Sequence, residues 1–475
     1  MAIKFTTQPV ARNATSRNLD SISAAECKLQ DKTVEYVENS QYEILPDKGY
    51  DGIAKVDVTV NVPTSGEYSY KKNIADVNGL KAIGWNDESI GMYGDNVLGY
   101  EWQRSDYLVS QANKDLAEGF TKDTISSNKS NPDFVYCPMF DTSSITDMNF
   151  MFGGCSNLKS IPLINTSSVT NMTYMFNACS SLQSIPRLDT GLVTGMNNMF
   201  TNCRSLTTIP LLDTSSVTSM DSMFEGCLKL ESIPQLDTSL VMTMISMFDQ
   251  CSSLQSIPQI DTSKVTNMTY MFRGCSSLRS ISQIDTSTVT NMSRMFDQCS
   301  SLQSVPQMNT SKVTNMTYMF SGCKSLTSIP QLDTSSVTNM NYMFQNCSNL
   351  QSIPQLDTSS VTSVNNMFDG CSKLKSIPLL DAGSITSTTT PFGFGNFSNL
   401  TDLGGFKDLK VSWSSNFLDR APKATVESLM NVINNLYDLT ANGLSGQTVK
   451  FGKTNLAKLT DEQKAVATNK GWTLS

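Results

Sequence analysis

Hydrophobic and polar positions repeat with a fixed period of 24 residues over half of the chain. Ten copies of one unit run without insertion from Asp141 to Leu380. Their consensus is D-T-S-x-V-T-N-M-x-x-M-F-x-x-C-x-x-L-x-S-I-P-x-L, and its cysteine column runs from Cys155 to Cys371. A period of about 20 to 50 residues is typical of a solenoid, in which each unit buries its apolar side against its neighbours. We therefore expect a rigid, elongated surface that binds or spaces other molecules.

The repeat also predicts the elements of each unit. The segment L-x-S-I-P-x-L predicts a short strand, D-T-S a turn, and V-T-N-M a second extended piece. In M-x-x-M-F-x-x-C the apolar residues lie at positions i, i+3, i+4 and i+7, so that pairs of them are 3 or 4 apart, which predicts one helical turn. A strand, a turn and a short helix in each unit predict an α/β solenoid made of ten leucine-rich-repeat coils.

Sulfur-containing side chains are frequent, and most of them belong to the repeat. Nineteen of the 25 methionines lie in its two Met columns, which favours core packing over copper or haem ligation. Ten of the 12 cysteines form one column. Equivalent residues of adjacent coils stack about 4.8 Å apart with parallel side chains, whereas a disulfide needs Cβ atoms about 3.8 Å apart that face each other. We therefore predict buried free thiols.

Two polar columns are predicted to be structural. One contains asparagines whose stacked amides could hydrogen-bond along the axis: Asn171, Asn267, Asn291, Asn315 and Asn339. The other contains aspartates: Asp189, Asp213, Asp237, Asp261, Asp285, Asp333 and Asp357. Aspartate beside Thr and Ser favours turn capping. A calcium ladder with one carboxylate per coil is the alternative.

Two further columns are predicted to face solvent, where they could carry binding. The glutamine row, beside the prolines, consists of Gln235, Gln259, Gln283, Gln307, Gln331 and Gln355. The aromatic column, just before the second Met, consists of Phe150, Tyr174, Tyr270, Tyr318 and Tyr342. Amide rows with exposed aromatics suit contacts with a glycan or a protein. The other interpretation, which the sequence favours, is that the stacked tyrosines only stabilise the edge of the coil.

Composition removes several classes of function. The chain has no histidine, which excludes His-dependent catalysis and every His metal ligand. Its net charge is −8, and without a basic stripe we expect no nucleic-acid partner. We predict no catalytic residue, cofactor or metal. A carboxylate pair of the glycosidase kind in the flanking regions is the enzymatic alternative.

The stretch VTNMTYMFRGCSSLRSI at Val265–Ile281 and its nine siblings resemble the BspA-type bacterial surface leucine-rich repeats. That group is also found in mycoplasma-type surface lipoproteins. The resemblance covers about half of the chain and implies an adhesin or host-interaction protein without a catalytic site. Members usually carry export signals, whereas the N-terminus MAIKFTTQPVARNATSRNLD has no apolar signal segment. The sequence contains no stretch of about 18 apolar residues, so we predict no membrane span.

The sequence predicts four regions: an arm and small β module at 1–63, a connector at 64–132 with a helix at Tyr107–Glu118, the solenoid at 133–410 and an α/β cap at 411–475. The β module ends in a strand with alternating Val56, Val58, Val60 and Val62. The cap is predicted from an amphipathic helix at 424–438, a second helix with a capping box at Thr460–Gln463, and strands in GQTVKFG and GWTLS.

The string ILPDKGYDGIAKVDVTVNV resembles a short motif of tail, fibre and other structural proteins of tailed phages. Any β-hairpin with a Gly-rich turn is the alternative. We therefore predict a non-enzymatic virion component, fibre-like or decorating, localised to a particle made in the host cytoplasm. Its N-terminal region would dock to other virion proteins, and its solenoid would contact host surface glycan or protein, without membrane insertion and with possible homo-oligomerisation. A bacterial cell-surface adhesin with the same repeat is the alternative.

Overall fold

The computed structural model describes residues 144–161, 164–386, 397–412 and 418–475. It also describes six single residues between 125 and 142 and the backbone of five strands within 2–61. The chain divides into two compact units. The first consists of Met1–Thr194, Asn202–Ser216 and Pro234–Leu236, and the second of Gly195–Thr201, Val217–Ile233 and Asp237–Ser475. The helix predicted at Tyr107–Glu118 and the GYDG motif at 49–52 lie outside the described residues.

In the first unit, the N-terminal strands are β1 (Ala2–Thr7), β2 (Lys28–Leu29), β3 (Lys32–Thr33), β4 (Tyr42–Ile44) and β5 (Ala54–Asn61). An antiparallel sheet has the order β1-β5-β4, and β2 and β3 form a separate antiparallel pair. The strand predicted from alternating valines is present as β5. We did not predict β1, because its pairing with a strand some 50 residues away leaves no local signal in the sequence.

The coils begin with an Asp-Thr-Ser or Asn-Thr-Ser turn, or a variant of it, and in most of them the threonine ties this turn to the next coil. The buried hydroxyl of Thr190 is an exception, since it has no hydrogen-bond partner among the described residues. The threonine of this turn is buried, as in Thr262 and Thr334, each about 1% exposed. In most coils its hydroxyl donates to the main-chain carbonyl that begins the next coil, for example Thr262 to Asp285 at 2.7 Å and Thr334 to Asp357 at 2.8 Å. Satisfying a buried hydroxyl in this way avoids the cost of an unpaired polar group.

The helical turn predicted for M-x-x-M-F-x-x-C is wrong. The segment consists of consecutive tight turns, with main-chain bonds such as Met271 N–H to Met268 (3.2 Å) and Cys275 N–H to Phe272 (3.1 Å). The N–H groups between these donate to the next coil instead, as Phe272 N–H does to the main-chain carbonyl of Met295 at 2.9 Å. This alternation of local and inter-coil bonds prevents the i to i−4 bonds of a helix.

The predicted L-x-S-I-P-x-L strand is also wrong for most coils. Among the described residues of the repeat and its last coil, strands form only at the C-terminal end, where β6 (Ser376–Ile377) and β7 (Leu380–Asp381) pair in parallel with β8 (Asp402–Leu403) and β9 (Phe406–Lys407). The N–H of Gly404 donates there to Ile377 at 2.9 Å. Proline occupies the equivalent position in most coils and has no N–H to donate.

The core follows the predicted apolar columns. In the first unit Phe152 and Phe176 stack with ring centres 5.4 Å apart. In the second unit the phenylalanines from Phe200 through Phe224 to Phe368 stack at 5.6 to 5.8 Å. These phenylalanines are at most 1% exposed. Within each unit the coils stack as a leucine-rich-repeat-like solenoid of 24-residue period, and the predicted fold class is confirmed.

The cysteine column consists of free, buried thiols, as predicted. Each thiol from Cys179 onward donates to the carbonyl of the phenylalanine 27 residues earlier, for example Cys299 to Phe272 at 3.0 Å. Burial raises the pKa of Cys155 to about 11 and that of Cys347 to about 12. The column therefore stays protonated and serves as a small hydrogen-bonding core residue.

The C-terminal cap contains α1 (Val426–Asn435), β10 (Gln447–Val449), α2 (Lys453–Leu456), α3 (Asp461–Asn469) and β11 (Trp472–Leu474). The first predicted helix is α1, which ends three residues earlier than expected. The predicted capping box of α3 is present, with Thr460 and Gln463 bonded reciprocally. The two predicted strands, β10 and β11, pair in parallel. The short α2 was not predicted.

Candidate functional site

The predicted aromatic column occupies the tight-turn segment of each coil. Tyr270, Tyr318 and Tyr342 are half-buried there. Their φ angles are 61°, 58° and 60°, in a left-handed region that bulky residues rarely adopt. The surrounding bonds impose this conformation, since the N–H of Tyr270 donates to Ser293 of the next coil at 3.1 Å. The turns thus hold aromatic rings at fixed intervals along the second unit.

A buried carboxylate orients the first arginine beside this column. Asp249 is 2% exposed and accepts two bonds from Arg273: Nε to Oδ1 at 2.8 Å and Nη2 to Oδ2 at 2.5 Å. This bonding raises the pKa of Arg273, and a bidentate pair fixes the plane of the guanidinium. The guanidinium carbon lies 4.5 Å from the ring centre of Tyr270, which is cation–π distance.

A second arginine takes the place of a tyrosine in the aromatic column itself. Arg294 donates through Nη1 to Oδ2 of Asp297 at 3.1 Å, and the two side chains are 33% and 3% exposed. Its guanidinium lies 3.9 Å from the ring centre of Tyr318 and 5.8 Å from that of Tyr270. Burial raises the pKa of Asp297, against the lowering effects of the Ser321 hydroxyl and of Arg294.

Two stacked tyrosines lie next to Arg294 along this row of side chains. The rings of Tyr318 and Tyr342 stack at 4.3 Å between centres with an interplanar angle of 9°. Burial and the neighbouring Tyr342 raise the pKa of Tyr318, so its phenol stays protonated at neutral pH. We call the set Tyr270, Arg273, Arg294, Tyr318 and Tyr342 the arginine–tyrosine strip. Its two guanidinium groups lie against tyrosine rings, and the buried Asp249 and Asp297 pair with them.

A cavity of about 470 Å³ opens beside the strip. Its charged lining residues are Arg294, Asp297 and Lys324, and Tyr318 contributes an aromatic surface. The remaining lining residues are polar or glycine: Ser276, Gln298, Ser300, Ser321, Gly322, Gln345 and Asn346. A volume of this order falls within the usual range for small-molecule sites, about 300 to 1,000 Å³.

The other end of the aromatic column lies in the first unit. Phe150 and Tyr174 are 42% and 39% exposed, and their rings meet edge to face at 6.3 Å. The ammonium of Lys129 lies 4.1 Å from the ring centre of Phe150 and donates to its carbonyl at 3.3 Å. Aromatic surface and a cation are therefore paired in this unit as well.

The glutamine row is exposed, as predicted, and its amides also connect coils. Nε2 of Gln283 donates to the main-chain carbonyl of Gln307 at 2.7 Å, and Gln307 donates in the same way to Gln331. Gln259, Gln331 and Gln355 make equivalent bonds at 2.6 Å. These side-chain donors link coils beside prolines that have no N–H to donate. The contact role of this row stays a prediction.

The aspartate column caps turns. Oδ1 of Asp333 accepts from the main-chain N–H of Ser335 at 3.1 Å and from its hydroxyl at 2.7 Å, which lowers the pKa of Asp333. The asparagine column was wrongly predicted to bond along the axis. Oδ1 of Asn315 accepts instead from the N–H of Thr317 in its own coil at 3.0 Å. No group of three metal-ligating side chains occurs among the described residues.

Sequence reasoning found the tyrosines and missed the charged half of the strip. The signal was available three positions after the aromatic column: FDQC, FRGC and FDQC place Asp249, Arg273 and Asp297 at successive 24-residue intervals. Opposite charges at equivalent positions of adjacent coils are neighbours in a solenoid, as cross-strand pairs are in a sheet. Arg294 was missed because it interrupts an aromatic pattern.

The 24-residue coils and their stacked core columns define a leucine-rich-repeat-like solenoid protein. Three overlapping segments, 123–232, 208–307 and 290–397, match the family described as Mycoplasma protein of unknown function, DUF285. They cover more than half of the chain, and the chain belongs to this family. No curated protein matches it. In the part that the structure describes, no helix has the length and apolar character needed to cross a membrane.

Solved leucine-rich-repeat structures show limited similarity. The T. pallidum protein TpLRR is 23% identical, over 40% of this chain and 76% of that one, with a TM-score of 0.26. A leucine-rich-repeat protein from Eubacterium ventriosum is 16% identical over 54% and 85%, with a TM-score of 0.27. TLR13 in its complex with ssRNA13 is 14% identical over 70% and 52%, with a TM-score of 0.25. The fold assignment above rests on the coil geometry of this chain itself.

Proposed function

We propose that this protein is a non-enzymatic recognition protein of a bacterial cell surface, which presents the arginine–tyrosine strip to a glycan or protein ligand. The observation that carries the proposal is the fixing of Arg273 by the buried Asp249 while the arginine itself remains 30% exposed. A buried carboxylate is costly unless it is paired. Its presence beneath a solvent-facing guanidinium fits a surface whose donors are oriented before a ligand arrives.

The chemistry of the strip supports binding more than catalysis. Tyrosine and arginine are among the residues enriched at binding hot spots. Tyrosine offers a large contact area at low entropic cost, and arginine offers several donors in a planar fork. The left-handed turns restrict Tyr270 and Tyr318 further. Histidine is absent from the chain, so a Ser-His or Cys-His nucleophile cannot form.

The cell-surface location is supported by the resemblance of Val265–Ile281 and its siblings to BspA-type surface repeats. A second candidate is a tailed-phage virion component, favoured by the P-x-x-GYDG-x-x-x-V-x-V string from Pro46 to Val58. In that case the N-terminal region would attach to other virion proteins and the solenoid would contact the host. Both candidates use the same strip.

One experiment tests the binding role. The full chain is labelled, and its binding to bacterial envelopes and to candidate host surfaces is measured against a triple variant, Tyr270→Ala, Tyr318→Ala and Tyr342→Ala. The matched control is Gln259→Ala, Gln307→Ala and Gln355→Ala in the glutamine row. We expect binding by the intact chain and by the control, and strong loss in the tyrosine variant. Equal binding by all three proteins would contradict the proposal.

A second experiment separates the two locations. Immunogold labelling of cells and of gradient-purified particles from the source culture should place the label on cell envelopes. Label at a fixed position on phage particles, with none on envelopes, would favour the virion candidate and reject the cell-surface proposal.

A further inference from the structure

We propose that the cavity beside the arginine–tyrosine strip binds an acidic saccharide, with a carboxylate or sulfate held between Arg294 and Lys324. This inference rests on the proposed function and names the ligand class of the same surface. The cavity lies wholly in the second unit and is lined by both cations.

The charges around the cavity favour an anion. Asp249 pairs with Arg273, and Asp297 pairs with Arg294. Lys324 is exposed, and no carboxylate of the described residues forms an ion pair with its ammonium. One positive charge therefore remains uncompensated at this site, although the whole chain carries a net charge of −8. A local cation on an acidic protein favours a ligand group of opposite charge.

Arg294 also has donors to spare. Its bond to Asp297 uses Nη1 alone, and a guanidinium carries five N–H groups in a planar fork. The ring of Tyr318, 3.9 Å from the guanidinium carbon, limits its movement. A planar carboxylate or a sulfate can accept two parallel bonds from such a group.

The rest of the lining suits sugar hydroxyls. Exposed amides come from Gln298 and Asn346, and hydroxyls from Ser276 and Ser300. These hydroxyls already donate to main-chain carbonyls, Ser276 to Ser252 at 3.2 Å and Ser300 to Ser276 at 3.4 Å. Their oxygens are therefore oriented as acceptors. Donors and acceptors around an aromatic edge match the alternating polar and apolar surface of a saccharide better than a purely apolar ligand.

The test is isothermal titration calorimetry of the full chain with three tetrasaccharides: a galacturonate oligomer, its carboxyl-reduced neutral form, and a heparin-derived sulfated oligomer. The variant is Lys324→Gln. Its matched control is Lys312→Gln, which removes an exposed lysine of the same coil that does not line the cavity. Arg294→Lys keeps the charge and removes the planar fork. Each binding measurement is repeated at raised salt.

We expect at least one acidic oligomer to bind, the neutral form to bind at least tenfold more weakly, and Lys324→Gln to weaken binding by about tenfold, the loss of one charge-assisted contact. Lys312→Gln should bind like the parent, Arg294→Lys should bind more weakly, and salt should reduce affinity. Binding of the uronate alone assigns a carboxylate as the ligand group, and binding of the heparin oligomer alone assigns a sulfate.

Equal binding of the neutral oligomer, or equal effects of the two lysine variants, overturns the inference. If no acidic oligomer binds but the chain still binds surfaces through its tyrosines, the acidic-saccharide inference fails and the proposed function stands. If surface binding is lost as well, both fail.

Discussion

Asp249 offers a direct test of how the strip is supported, because among the described residues Arg273 supplies every hydrogen bond to its carboxylate. Replacing Arg273 with methionine keeps a long apolar stem and removes both bonds. The carboxylate, 2% exposed in the parent, would then be buried without a charged partner. We expect a large loss of stability from this single change at the edge of the repeat.

The size of the loss follows from the exposure of the two side chains. Removing one partner of a buried ion pair costs about 3 to 5 kcal/mol, because the other charge is left uncompensated. Arg273 is 30% exposed, so in the variant water can reach the Asp249 carboxylate and reduce the cost of leaving it unpaired. We therefore expect a loss of about 3 kcal/mol in the free energy of unfolding, the lower end of that range.

The assay is urea unfolding followed by circular dichroism. Arg279→Met is the matched control, since Arg279 is an exposed arginine of the same coil and makes no side-chain hydrogen bond among the described residues. Its variant should stay within about 0.5 kcal/mol of the parent. The double variant Asp249→Leu and Arg273→Met should recover much of the loss, because no charge stays buried. If Arg273→Met matches Arg279→Met, the reasoning is refuted.

Three further predictions concern pH, thiols and the cap. Burial raises the pKa of Asp297. Its contribution to folding stability is therefore full below the ordinary aspartate pKa of about 3.9 and is lost as pH rises through the raised pKa. In urea unfolding across pH 3 to 7, the free energy of unfolding of Asp297→Asn should rise relative to that of the parent as pH increases. Asp333→Asn should show the opposite trend, since serine hydrogen bonds lower the pKa of Asp333 and its contribution is lost as pH falls; parallel curves for the two variants would contradict both assignments. The thiols of Cys179, Cys299 and Cys347 should resist iodoacetamide at pH 8 in the native protein and react in urea, as read by mass spectrometry; labelling of the native column would show that it opens. Asn455→Ala should cost about 2 kcal/mol, because its buried amide donates to Leu418 and Ala421 at 2.6 and 3.3 Å; an equal loss in the exposed control Asn442→Ala would refute this.

The sequence predicted the core well because each apolar column repeats ten times and the burial of one coil implies that of the next. The cap helices α1 and α3 were predictable for a different reason, since α1 has an amphipathic pattern and α3 begins with the local capping box of Thr460 and Gln463. The tight-turn segment of each coil was not predictable in this way. Its apolar residues at i, i+3, i+4 and i+7 imitate a helix, whereas the backbone enters the left-handed region at residues such as Tyr270 that do not favour it.

The site was half predictable. Tyr318 and Tyr342 stood out as a column of one residue type, but the arginines depend on pairing between coils. The roles of Arg273 and Asp249 become visible only when positions 24 residues apart are compared as neighbours, and the burial of Asp249 cannot be inferred from its polarity. A column of one residue type is easy to recognise in the sequence, whereas charged pairs between coils are not.

The measurement that tests the central claim most directly is hydrogen–deuterium exchange of the full chain with and without a saturating surface ligand or acidic oligosaccharide. The strip places its contacts in the tight-turn segments, so protection should concentrate in peptides covering 268–276, 292–300 and 316–324. Peptides of the glutamine row, such as 303–308 and 327–332, should exchange at unchanged rates. Protection confined to the glutamine row would contradict the assignment of the arginine–tyrosine strip as the binding surface.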